Sequence, residues 1–176
     1  MKAVRRLAGV TGYPYRSIYK PVAGTVLAAI GSTALAAAQY STDAATGRIT
    51  MAANKTSAIT GISKAANAVL TVASHTVANG DSFQISGVVG MVQINGLRAT
   101  VISHTPTSIT TSINSTGFST YTSGGVFHTR PQAGEAVTAG FEFDFPVRFN
   151  TAMPIGQDFP GYRSVDGVEL IELLNP

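Results

Sequence analysis

Residues 140–151 read GFEFDFPVRFNT, with apolar and polar positions in strict alternation. Side chains on a strand point to opposite faces in turn, so Phe141, Phe143, Phe145, Val147 and Phe149 fall on one face. Glu142, Asp144, Pro146, Arg148 and Asn150 fall on the other. The pattern predicts one continuous strand whose five large apolar groups build a core. Pro146 has no N–H to give a ladder, which places the strand at a sheet edge or against another subunit. Further strands are predicted over 24–30, 36–42, 48–52 and 136–139. A turn is expected at Gly31-Ser32, and a tight hairpin loop over 43–47, where Asp43 opens and Gly47 closes with one residue at positive φ. Between 54 and 129, short β-prone runs recur at 57–62, 68–73, 82–86, 97–103, 108–113 and 125–129. They are separated by Asn79-Gly80-Asp81, 87–90, Asn95-Gly96, 114–117 and Ser123-Gly124-Gly125. Six strands at this spacing predict a small barrel or sandwich. The closing VELIELL (168–174) fits a strand or a helical turn equally well.

The fold class is therefore all-β: a small antiparallel sheet or sandwich domain, an inserted barrel-like module and an extended arm. The expected divisions are an arm over 1–20, a discontinuous β-domain over 21–53 plus 130–176, and a module over 54–129. Composition agrees, with 18 Gly among 176 residues and only 12% charged residues, about half the usual quarter. Low surface charge in a β-rich chain is a tendency of proteins that work inside assemblies. The net charge of +3 is too small to argue for nucleic acid, and no nucleic-acid binding is expected.

Charge distribution says more than the total. Lys2, Arg5, Arg6, Arg16 and Lys20 occupy the first twenty residues without an acid. Glu135, Glu142, Asp144, Asp158, Asp166, Glu169 and Glu172 face only Arg148 and Arg163 over 131–176. A basic front and an acidic back can pair within the fold or between neighbouring copies. The arm also carries Tyr13, Tyr15 and Tyr19 and is expected to gain order by docking. Arg5, Arg6, Tyr13, Tyr15, Tyr19, Glu142, Asp144 and Arg148 are accordingly the candidate assembly-interface residues. Residues 22–38 follow basic residues as an export signal does. Their length, Gly24, Gly31 and Ser32, and the prolines before them favour strand, turn, strand and no membrane span.

Catalytic and metal chemistry find little footing. Zero cysteine excludes disulfides, Cys-ligated zinc and thiol nucleophiles. His75, His104 and His128 lie too far apart for a local zinc motif, and surface or hydrogen-bonding roles are expected of them. Glu142 and Asp144 are two apart on a strand, about 7 Å, a spacing glycosidases use. Arg148 on the same face makes an interface stripe the better reading. No Gly-x-Ser-x-Gly elbow and no phosphate-cradling Gly-rich loop occurs. Neither an enzyme nor a cofactor is expected.

Three blocks carry a resemblance. YKPVAGTV (19–26), YSTDAATGRIT (40–50) and AGEAVTAGFEFDFPVRFNT (133–151) resemble the C-terminal half of the distal tail protein family of gene transfer agents and related long-tailed phages, also called DUF2460. The middle, with ITGISK (59–64), LTVASH (70–75), NGD (79–81), ISGVVGM (85–91) and STGFSTYTSGG (115–125), is similar to another unit. It is a small β-module of phage structural proteins, labelled FCCH-like after a domain of ubiquitin-activating enzyme. The phage label implies no ubiquitin chemistry. The first resemblance implies a virion protein of the tail tip or baseplate, assembled in the host cytoplasm. It implies a hexameric ring linking tail tube to hub, with the module projecting outward for decoration or host attachment. The alternative reading is a carbohydrate- or receptor-binding accessory module of a virion.

Overall fold

The computed structural model describes residues 4–5, 16–17, 21–144, 147–150, 155–159, 162–165 and 169–172. The fold is all-β. Its strands are β1 (Val4–Arg5), β2 (Arg16–Ser17), β3 (Leu27–Ile30), β4 (Thr33–Ala34), β5 (Tyr40–Asp43), β6 (Arg48–Met51), β7 (Thr56–Ile62), β8 (Val69–Val72), β9 (Ser82–Val89), β10 (Arg98–Thr105), β11 (Ser108–Thr111), β12 (Ser123–His128), β13 (Val137–Gly140), β14 (Val147–Phe149), β15 (Ile155–Phe159), β16 (Tyr162–Val165) and β17 (Leu170–Glu172). The chain divides into two compact units, Met1–Glu142 and Phe143–Pro176.

The first unit is dominated by a closed antiparallel barrel in the order β10-β11-β8-β7-β12-β9. Closure removes both sheet edges, so a chain rich in exposed Ser and Thr presents no open ladder there. Register shifts at 59/61 and 101/103 bend β7 and β10, as bulges do at the corners of small barrels. The inward positions are apolar: Ile59, Leu70, Val72, Phe83, Ile85, Val101, Ile109 and Phe127 are all buried. Phe83 and Phe127 pack at a tilt of 54° within this core, with ring centroids 5.2 Å apart. A 3-10 turn at Val92–Ile94 follows Met91, and Met91 and Ile94 join the same core.

Beside the barrel lies a three-stranded sheet, β13-β3-β4. Ile30 stands opposite Val137 and Leu27 opposite Gly140. The strands before and after the barrel thus pair directly with each other. Ala28, Ile30 and Leu35 form a small second core, with Tyr40, Met51 and Val137 packed against it. Residues 22–38 do contain the expected strand, turn and strand. The β5–β6 hairpin closes as its sequence predicts: Asp43 accepts from the Ala45 N–H at 2.9 Å and from the Thr46 hydroxyl at 2.7 Å, and Gly47 has φ of 64°. Both bonds favour the carboxylate, so the Asp43 pKa is lowered, with the Thr46 hydroxyl the leading cause.

Several expected elements are corrected. The predicted strand over 36–42 begins at Tyr40, because Ala37–Gln39 is a 3-10 turn. The turn signals at 87–90 and 123–125 lie largely inside β9 and β12. Gly87, Gly124 and Gly125 all have positive φ there, and the two backbones run close, a Cβ on Gly124 falling 2.9 Å from the Gly87 carbonyl oxygen. The tail motif, open between strand and helix from sequence, is a strand at β17.

The largest correction concerns residues 140–151. The alternation does not form one strand: β13 ends at Gly140 and β14 begins at Val147. Phe141 and Phe143 are half-buried. Val147 and Phe149 are 47% and 48% exposed, and Phe145 lies outside the described residues. Among the described residues the buried cores are those of the barrel and of the β3 sheet. Alternation requires an unbroken ladder to place five side chains on one face, and here the chain passes from one compact unit to the next.

Candidate functional site

Two segments connect the barrel to the sheet beside it, residues 52–55 leading in and 129–135 leading out. Their side chains bond to each other and to the barrel rim, forming a neck. Asn54 Oδ1 accepts from the Arg130 N–H at 3.1 Å and from the Thr129 hydroxyl at 3.4 Å, and Asn54 Nδ2 lies 3.0 Å from His128 Nδ1. The Lys55 N–H donates to Thr129 Oγ1 at 2.8 Å, and Arg130 Nε donates to the Ala52 carbonyl at 2.9 Å. Incoming and outgoing chains are therefore stitched side by side.

Three polar contacts tie this neck to the barrel and the sheet. Arg98, on β10, meets Glu135 of the outgoing segment through two parallel bonds, Nε to Oε1 at 2.7 Å and Nη2 to Oε2 at 2.6 Å. Both side chains are largely buried, 6% and 13% exposed. The guanidinium also donates to the Arg130 carbonyl at 3.2 Å, and the Gln132 N–H donates to Glu135 Oε2 at 2.7 Å. Burial pushes the Glu135 pKa up, but the Arg98 bonds, the Gln132 N–H and the Arg98 charge outweigh it, and the pKa is lowered. Fork-on-fork pairing of this kind is available to arginine and not to lysine.

Lys55 Nζ meets Asp81 Oδ2 at 2.6 Å. The same oxygen accepts from the Ala78 N–H at 2.9 Å, so a buried carboxylate both closes the turn before β9 and holds the incoming segment. Gln39 supplies the third tie. Its amide donates to the Ser82 carbonyl at 2.7 Å and accepts from the Ser82 N–H at 2.8 Å, reading the backbone as a neighbouring strand would. Gln39 is buried, and its Oε1 also accepts from the Ala36 N–H at 3.3 Å, which fixes the 3-10 turn that displaced the predicted strand.

The residues expected at an assembly interface distribute differently. Arg5 lies on β1, while Arg6, Tyr13, Tyr15 and Tyr19 lie outside the described residues. Glu142 is exposed and its backbone is anchored, its N–H donating to Thr25 Oγ1 at 3.0 Å and its carbonyl accepting from the Val22 N–H at 2.9 Å. Asp144 is exposed, and Arg148 is exposed on β14 opposite Ile171. β13 ends at Gly140, so Glu142 and Asp144 lie beyond that strand. His75 and His104 pack edge to face with centroids 5.3 Å apart, and His75 Nε2 donates to the Thr105 carbonyl at 2.6 Å. His128 joins the neck instead. Among the described residues no group of three or more His, Cys, Asp or Glu converges as metal ligands would, and no helix is long and apolar enough to cross a membrane.

Gln39, Asn54, Lys55, Asp81, Arg98 and Glu135 are not among the candidate site residues read from sequence, although Asp81 is read there as a turn residue and Glu135 as part of the acidic back. A signal was present for three of them. Only Lys55, Lys64, Asp81 and Arg98 are charged between 54 and 129, and three of these four serve the neck.

The fold and the neck together define a small closed β-barrel carried on a flanking sheet. Residues 65–130 match the family described as the ubiquitin-activating enzyme E1 FCCH domain. The chain thus contains an FCCH-like module, and five of the six barrel strands lie inside the matched span. No curated protein matches the chain.

Proposed function

We propose that this protein is a structural subunit of a phage tail tip, distal-tail-like, with no catalytic role of its own. The sheet and hairpin blocks that resemble the distal tail family would be built into the particle, in a ring between tail tube and hub. The barrel would be carried outward for decoration or host contact. The observation that carries this reading is the pairing of β3 with β13. A sheet completed by strands on both sides of an inserted barrel is what a carrier with a guest module requires. A neck with two buried or half-buried ion pairs suits a module held at a fixed angle, since loops on a rigid scaffold are where binding surfaces usually sit. Mass spectrometry and immunogold labelling of purified virions, with the solution mass of the isolated protein, test it. A ring-sized oligomer and labelled tail tips are expected; a chain absent from virions would sink the proposal.

A second reading, a carbohydrate- or receptor-binding module, is favoured by one feature. Thr60, Thr71, Ser108 and Thr105 run across the neighbouring strands β7, β8, β11 and β10 without a charge. Thr60 donates to the Thr71 carbonyl at 3.1 Å, and Ser108 and Thr105 share a bond of 2.7 Å. Glycan-array binding by a monomer, lost in Thr71→Val, would favour this reading over the first.

A further inference from the structure

β14 and β17 form a two-stranded ribbon, with Phe149 opposite Leu170 and Val147 opposite Glu172. Cross-strand partners share a face, as do residues two apart, so Val147, Phe149 and Leu170 stand together. They are 47%, 48% and 53% exposed. A ribbon of three residues per strand is not stable in water by itself, and adjacent exposed apolar groups mark a contact surface.

The charge of this part of the sequence is one-sided. Residues 143–176 hold Asp144, Asp158, Asp166, Glu169 and Glu172 against Arg148 and Arg163, five acids to two bases. Asp144 and Glu169 are exposed, and Glu169 Oε2 accepts from Asn150 Nδ2 at the end of the ribbon at 2.7 Å. The opposite composition occurs at the other end of the chain. The first twenty residues carry five basic residues, no acid, and the apolar or aromatic Val4, Leu7, Val10, Tyr13, Tyr15, Ile18 and Tyr19. Within them β1 pairs with β2 so that Arg5 stands opposite Arg16.

We propose that the β1–β2 arm of one copy docks on the β14–β17 ribbon of a second copy. The three apolar groups are about half exposed, an area that a second copy's arm would cover. Apolar and tyrosine side chains would close over Val147, Phe149 and Leu170, while the acids of the ribbon segment meet the basic residues of the arm. Arm-on-ribbon contact is heterologous, so repetition generates a ring or a filament according to the rotation. Such a contact is independent of the tail-tip reading.

The chain has no cysteine, which makes a disulfide trap free of background. An affinity-tagged Ser17→Cys chain is mixed with an untagged Asn150→Cys chain and oxidised. A tagged–untagged dimer is expected, well above that formed with an untagged Thr71→Cys control on the barrel. Its yield should fall about ten-fold in a tagged Arg5→Glu/Arg16→Glu background, and it should decline with added salt as contacts between exposed charges do. A yield equal to the control overturns the proposal. So does a bridge that forms only when both cysteines are on one chain, which would mean that the arm covers its own ribbon.

Discussion

Arg98 and Glu135 meet through two parallel hydrogen bonds of 2.6 and 2.7 Å, one residue on a barrel strand and the other on the segment that leaves the barrel. Neither belongs to a hydrophobic core, yet the pair determines how the outgoing chain lies against the rim. Removing one partner strands the other, because a largely buried charge loses its counter-charge while remaining out of water. Arg98→Ala is expected to cost about 3 kcal/mol in equilibrium urea unfolding. Arg98→Lys keeps the charge and loses the fork, so it should recover only part of that. A loss indistinguishable from zero in Arg98→Ala would mean that the pair does not hold the neck.

The same pair sets an acid limit. Glu135 has a folded-state pKa below its ordinary value of 4.5. A carboxylate of this kind contributes stability that is fully present above the unfolded pKa and is lost as pH falls through the folded one. Wild-type protein should therefore weaken from about pH 4.5 downward relative to Glu135→Gln, whose uncharged amide does not titrate. Asp43 is also lowered and remains in both proteins, so the difference between the two unfolding curves isolates Glu135. Parallel curves across that window would contradict the assignment.

Much of the barrel was legible because its strands are local patterns bounded by turn residues. Six runs were expected between 54 and 129 and six strands occur there, with Asp43 and Gly47 closing the preceding hairpin as their types require. Reading failed where a distant partner overrides the local signal. Ala37–Gln39 looks like strand, but the Gln39 amide is captured by Ser82, 43 residues away. Gly124 and Gly125 look like a turn, but they lie in a strand where Gly87 lets a second backbone approach. The phenylalanine alternation is the clearest failure, since period two describes which face a residue takes only while the ladder continues. The neck was unreadable for a related reason: Asn54, Arg98 and Glu135 become neighbours only after the barrel closes.

Gln39 offers a test of that long-range capture. Its side chain makes two bonds to one backbone unit while buried, so Gln39→Ala leaves the Ser82 N–H and carbonyl without those partners. The expected cost is about 2 kcal/mol, from the desolvation of two unsatisfied groups. Amide exchange should accelerate first at Ser82 and through 36–39, and should leave the β8–β11 side of the barrel protected. Uniform acceleration across the barrel would show that Gln39 supports the whole fold and is not a local tie.

Glycine supplies the last prediction, because two positions of one composition have opposite surroundings. Gly125 has φ of 101°, and a Cβ there would fall 2.6 Å from Val88 Cγ2 and 3.4 Å from Ile59 Cδ1, both in the barrel wall. Alanine at 125 must take a backbone conformation unfavourable to L-residues and also displace buried side chains, and the two effects add to about 3 kcal/mol. Gly117 lies in a loop with ordinary φ, and a methyl group added there would meet nothing within 4 Å. Gly117→Ala should be neutral or raise stability by about 0.5 kcal/mol through the unfolded chain. Thermal unfolding of the two variants side by side separates them: a fall in Tm for Gly125→Ala with Gly117→Ala unchanged or higher is expected, and equal falls would show that the close approach of β9 and β12 is not what Gly125 serves.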